Sequence, residues 1–84
     1  MKKLEKVLKA VANGRRLEIL KYLKKEKEAS VIDVAEHIKS SLAAASKHLI
    51  VLAIADILDR ELKRFYGFYS LRADQEPITK DLLS

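Results

Sequence analysis

The chain has no cysteine and no tryptophan, and only two glycines and one proline among its 84 residues. Without cysteine there is no disulfide, no thiolate metal site, no thiol nucleophile and no cysteine-based redox sensing. Gly14 and Gly67 stand alone, so neither belongs to a glycine-rich loop that could cradle phosphates. Long hydrophobic runs are missing as well: nothing approaches the roughly 20 consecutive apolar residues that span a bilayer. The opening Met1-Lys2-Lys3 continues as Leu4-Glu5-Lys6-Val7-Leu8-Lys9, where charges interrupt every turn and leave no signal-peptide core. These absences predict a soluble, cytoplasmic chain with no membrane partner.

What is present is charge and helix-type patterning. With 49% apolar and 35% charged residues the composition is that of a globular, helix-rich chain rather than a disordered one. Domains of this size bury only about 60% of the surface their unfolded chains expose, which limits the chain to one core. Seventeen Lys and Arg against twelve Asp and Glu leave a net charge of +5. An anionic partner, nucleic acid or an acidic membrane surface, is one reading of that excess, and ordinary solubilising charge is the other. His37 and His48 are the only histidines. With no cysteine and no HxxxH or HxxE spacing, they are expected to be polar helix residues rather than metal ligands. Ser/His and carboxylate-pair signatures are missing too, so no enzyme activity, cofactor or metal is expected.

Apolar residues at Leu4, Val7, Leu8 and Val11 follow helical spacing and predict a first helix over Lys2 to Ala12. Asn13-Gly14 interrupts it. A second helix is predicted from about Arg15 to Lys25, with Leu17, Leu20 and Leu23 inward and Ile19 and Tyr22 alongside. The run Lys24-Lys25-Glu26-Lys27-Glu28 reads as a solvated turn. Ser30 followed by Asp33 approximates a capping box, which predicts a short third helix, Val31 to Ile38, with Val31, Val34, Ala35 and Ile38 apolar. After the break at Lys39-Ser40-Ser41, Ser41 is a good N-cap for a fourth helix running from Leu42 to about Ala55. Helices three and four then form a helix-turn-helix pair over about 31–55.

Beyond Asp56 the residue types change. Ile57 to Leu62 and Phe65 to Leu71 read as two strands joined at Lys63-Arg64, a hairpin over about 57–71. Its aromatics Tyr66, Phe68 and Tyr69 are expected to be core or cross-strand packing. Pro77 opens a last short helix over about 77–83. The predicted fold is mainly α with a small β-hairpin, one domain over 1–84 with about five helices and a two-stranded hairpin.

Three segments carry a resemblance. The stretch Leu8-Lys9-Ala10-Val11-Ala12-Asn13-Gly14-Arg15-Arg16-Leu17-Glu18-Ile19-Leu20 resembles the opening of the ArsR-type winged helix-turn-helix repressors of bacteria and archaea. Ser46-Lys47-His48-Leu49-Ile50-Val51-Leu52 is similar to their recognition-helix stretch, and Phe68-Tyr69-Ser70-Leu71 to the strand that closes their wing. The resemblance implies a two-fold dimer joined through the first and last helices. It also implies recognition helices in successive major grooves and wings on the flanking backbone or minor groove. Metal sensing is not carried over: Val31-Ile32-Asp33-Val34 stand where sensing relatives place cysteines, and no histidine follows His48. Asp56 stands where relatives have the glycine that ends the recognition helix, and Arg64 near the usual wing glycine.

Under this reading Lys47, Arg60, Lys63 and Arg64 contact phosphates of double-stranded DNA, and Ser41 and Ser46 lie near base edges. A solvated charged turn is the competing reading of Lys63-Arg64. The fourth helix departs from the pattern, because between Leu42 and Leu58 only Ser46, Lys47, His48 and Asp56 are polar. If Ala45, Leu49 and Leu52 pack inward, then Leu42, Ala43, Ile50, Ala53 and Ile54 lie wholly or partly outside that stripe. Either the helix is unusually deeply buried in the monomer, or its outer face is a protein contact. The latter defines an alternative function: a homo-oligomer on the same scaffold, such as interface design would leave behind, with DNA binding weakened or lost.

Overall fold

The computed structural model describes Glu5, residues 8–10 and residues 12–72. The predicted helix over 77–83 lies outside the described residues, as do Leu4, Val7 and Val11 of the first predicted helix. Glu5 and residues 8–10 are helical, although Leu8 is exposed and Ala10 is the buried residue of that turn. The order that follows is α1 (Gly14–Glu26), β1 (Glu28–Ser30), α2 (Val31–Ile38), α3 (Leu42–Ile54), β2 (Leu58–Lys63) and β3 (Tyr66–Leu71). The predicted helix-turn-helix pair and wing are therefore in place as α2–α3 and β2–β3.

Side-chain caps explain where the helices begin. The Asn13 carboxamide oxygen accepts from the N–H groups of Arg15 and Arg16 at the start of α1. At α2 the capping box is complete: the Asp33 N–H donates to Ser30 Oγ, and the Ser30 N–H to the Asp33 carboxylate. Ser41 Oγ accepts from the Ala44 N–H and opens α3. Each cap satisfies donors that a helix start leaves unpaired.

The helices end on residues held in the left-handed backbone region, and glycine supplies none of them. Lys39 has φ 55° and Asp56 φ 60°. Ser40 N–H donates to Ala35 O and Lys39 N–H to Glu36 O, while Ile57 N–H donates to Leu52 O and Asp56 N–H to Ala53 O. Both ends are thus Schellman motifs, a geometry that usually takes glycine because a Cβ is strained there. The departure at Asp56 leaves the helix end intact. Its carboxylate also meets the Arg72 guanidinium at 3.3 Å, which ties the end of α3 to the residue after β3.

The sheet has three strands in the order β1-β3-β2, all antiparallel, rather than the two expected. Glu28, read as part of a solvated turn, begins the extra strand, and Ala29 inside it is buried opposite Tyr69. The hairpin turn is also shifted by one residue. Lys63 pairs with Tyr66, so Arg64-Phe65 is the two-residue loop, with Arg64 at φ 58°.

One core holds these elements together: Ile19, Leu20 and Leu23 from α1, Val34 and Ile38 from α2, Ala45, Leu49 and Leu52 from α3, then Ile57, Leu58 and Tyr69. Ile19 is fully buried and Leu17 only half-buried, the reverse of their expected ranking on α1. Among the hairpin aromatics only Tyr69 is core; Phe68 is half-buried, and Tyr66, expected to pack, is exposed. Truncating Leu49 or Leu52 to alanine is expected to lower stability by about 2–5 kcal/mol. At the left-handed Lys39, glycine removes Cβ strain: Lys39→Gly should raise stability by about 0.5 kcal/mol, and Lys39→Val should lower it by about 1 kcal/mol or more, both read by urea unfolding.

Candidate nucleic-acid interface

α3 is apolar on nearly every side, and its two faces separate by burial alone. Ala45, Leu49 and Leu52 are wholly buried, whereas Leu42 is 53% exposed, Ile50 48% and Ile54 71%. Ala43 is exposed and Ala53 half-buried. Of the two alternatives for this helix, burial all round within the monomer is therefore overturned: it turns a largely apolar face to solvent. Only Lys47, exposed, and Ser46, half-buried, give that face polar groups. Ser41 at its start is exposed, but its oxygen is engaged as the N-cap. His48 is half-buried, and its pKa is held below the usual 6.5 by burial first and then by the cations Arg16, Arg15 and Lys47. The imidazole is therefore neutral at pH 7 and adds no charge to the helix.

The wing supplies three of the predicted cations, and they are not equivalent. Arg60 is exposed on β2, and its guanidinium lies over Gly67 of β3. A Cβ at Gly67 would fall 2.8 Å from Arg60 Nη2 and 2.9 Å from Nε, so the bare glycine backbone gives Arg60 its path across the hairpin. Arg64 is exposed in the turn. Lys63 differs from both. Its ammonium donates to both carboxylate oxygens of Glu28, at 2.9 and 2.8 Å, and sits 5.7 Å from the centre of the Phe68 ring. Glu28 belongs to the strand the sequence did not reveal, 35 residues away. The bridge spans the sheet from β2 to β1 and leaves Lys63 already neutralised.

Two further cations frame the approach to the helix-turn-helix. Arg15 at the start of α1 and Lys39 in the turn line an open cleft of about 780 Å³, with Asn13, Gly14, Glu18, His37 and Ile38. Sequence reasoning passed over both residues, although the position of Lys39 beside the N-cap of α3 was the available signal. The ring of His37 stacks on Tyr22 with centroids 4.2 Å apart and planes 24° from parallel. The described residues contain no cluster of three or more potential metal ligands, and no helix long and apolar enough to cross a membrane.

A capped helix-turn-helix, a buried inner stripe on its second helix and a following hairpin that carries cations define a winged helix-turn-helix domain of the DNA-binding type. Comparison with known proteins narrows the class. The model of the family "Bacterial regulatory protein, arsR family" matches residues 13–60, more than half of the chain, and the protein belongs to that family. It is similar to the arsenical resistance operon repressor of Bacillus subtilis, 29% identical over 75 residues, which cover 89% of this chain and 71% of that one. Among solved structures, the homodimeric winged helix-turn-helix DNA-binding domain from Mycobacterium bovis superposes with a TM-score of 0.88 at 27% identity, covering 96% of this chain and 75% of that one. The transcriptional repressor PagR of Bacillus anthracis gives 0.83 at 27% identity, covering 96% and 93%. Nothing in these similarities favours the alternative of a self-assembling designed scaffold.

The Lys63 ammonium has a pKa raised above the usual 10.5, chiefly by the hydrogen bond it donates to Glu28. Because the folded value is the higher one, this contribution to stability is complete below the unfolded pKa and is lost as pH rises through the folded one. Glu28→Gln should bring the Lys63 titration back down towards 10.5, as an NMR titration of its Nζ would show; an unchanged midpoint would mean that the bridge does not persist in solution.

Proposed function

We propose that this chain is a transcriptional regulator that binds double-stranded DNA as a homodimer, in the cytoplasm, without metal and without catalytic activity. The observation that supports it best is the helix-turn-helix itself: Ser41 and the left-handed turn at Lys39 hold α3 so that its N-terminal turns and Lys47 are open to solvent. The dimer follows the Mycobacterium bovis domain, which is homodimeric. In such a dimer α3 enters the major groove and the wing lies on the flanking backbone or minor groove. Lys47, Arg60 and Arg64 contact phosphates, with Arg15 and Lys39 adding charge beside the turn. Lys63 joins them only when Glu28 releases it.

Ser46 is the polar side chain on α3 suited to a base edge, while Ser41 is held by its capping bond. The exposed apolar residues are assigned to DNA rather than to a second copy. Ala43 and Ile50 can meet thymine methyl groups in the major groove, a contact that needs no hydrogen bond. Leu42, Ala53 and Ile54 then line its edges. Such a helix reads few donors and acceptors, so affinity depends mainly on phosphates and falls steeply with salt.

Fluorescence anisotropy with a mixed-sequence duplex tests this reading. The chain should bind at low salt, and Lys47→Ala or Arg64→Ala, each removing one phosphate contact per protomer, should reduce the slope of log K against log salt by about 2 for the dimer. Glu28→Gln should strengthen binding by freeing Lys63, and a weaker complex would contradict the role given to Glu28. Ile50→Glu should weaken the complex about tenfold or more and leave the sedimentation mass unchanged, since it places a carboxylate against DNA. A fall in mass would instead assign the α3 face to self-association.

A further inference from the structure

The wing tip carries a feature that phosphate binding does not use. Phe65, the second residue of the two-residue turn, is 92% exposed, and its neighbours Leu62 and Tyr66 are 64% and 59% exposed. The position of this turn that favours glycine or asparagine is Arg64, at φ 58°, and nothing in the turn backbone calls for phenylalanine at the second position. Nor does Phe65 belong to the core or to the residues packed against it. Between Leu62 and Tyr66 the tip bears Lys63 and Arg64 and no carboxylate.

We infer that Phe65 is an apolar wedge that seats in the minor groove of duplex DNA, with Arg64 beside it on the groove wall. The inference rests on the DNA-binding reading given above. The Arg64 guanidinium next to an exposed aromatic suits a polyanion with an apolar interior, and a narrow minor groove concentrates the negative potential that draws arginine in. Phenylalanine is among the side chains that enter a base step there and partly unstack it. A second copy of the chain is the poorer occupant. Two identical tips meeting about a two-fold axis would bring Arg64 against its own copy, while the nearby Glu28 carboxylate is already taken up by Lys63. The wedge adds affinity without base-specific hydrogen bonds and without releasing a further counterion.

The test uses the full chain and the same mixed-sequence duplex. Phe65→Ala should weaken binding of the dimer about a hundredfold, as loss of one base–aromatic contact per protomer implies, and leave the salt slope unchanged. Arg64→Ala should lower the slope instead. Phe65→Trp should retain affinity and, because the chain has no other tryptophan, its emission should be quenched when duplex is added. Wild-type affinity for Phe65→Ala, or tryptophan emission indifferent to DNA, would overturn the wedge while leaving the regulator reading standing. A drop in sedimentation mass on Phe65→Ala would overturn it too, by assigning the tip to a protein contact. A wild-type chain that binds no duplex would overturn both readings.

Discussion

The rotation of α3 about its own axis is the constraint on which the rest of the structure depends. An ordinary surface helix sets its rotation by amphipathicity, one apolar stripe in and polar residues out. Here apolar residues lie on both faces, so burying Leu42, Ile50 and Ile54 would be nearly as favourable per side chain as burying Leu49 and Leu52. What distinguishes the two orientations is the pair of helix ends. Ser41 fixes the first turn through its bond to Ala44, and the Schellman motif at Asp56 fixes the last through Leu52 and Ala53. Ile57, wholly buried just beyond, anchors the exit. Ala45, wholly buried, completes the inner stripe with Leu49 and Leu52.

From that rotation follows the position of the wing. β2 begins at Leu58, directly after the buried Ile57, and Arg72 closes the other end of the hairpin with a backbone bond to Ile57 O. The Arg72 side chain also reaches Asp56 and Asp59. The hairpin is thus attached to the end of the helix at both of its roots, and β1 pairs along β3 to give it a third strand. A two-stranded hairpin is marginal alone; a third strand, with Ala29 and Tyr69 buried together, makes the root of the wing part of the core.

Much of this was legible in the sequence wherever a local rule decided the outcome. Ser30 with Asp33 and Ser41 marked two helix starts because a capping hydroxyl acts within three residues of itself. The left-handed ends were harder, since Lys39 and Asp56 occupy sites where glycine is the usual signal. β1 was missed because a three-residue strand with one apolar residue, set in a charged run, shows no period of two. The Glu28–Lys63 bridge depended on that strand and was hidden with it. The exposure of Tyr66 followed from a hairpin that projects past the core, which the alternation of residue types does not reveal. For the candidate site, sequence located the helix and the wing but not which cations are free, because freedom is set by neighbours far along the chain.

The distribution of charge then bears on how such a regulator could discriminate among sequences. Base edges are read by hydrogen bonds, and the open face of α3 has little beyond Ser46 and Lys47 to make them. Cations at the wing and beside the turn raise affinity for any duplex alike, so they cannot by themselves separate one site from another. On the reading proposed above, discrimination comes from contacts that respond to sequence without hydrogen bonds: thymine methyl groups for Ala43 and Ile50, and groove width and step flexibility for the wing tip. An A·T-rich site provides all of these together, with thymine methyls in the major groove, a narrow minor groove and easily opened TA steps. An apolar recognition helix and an aromatic wing tip are therefore consistent parts of one strategy, in which the shape and deformability of DNA carry what polar side chains usually read.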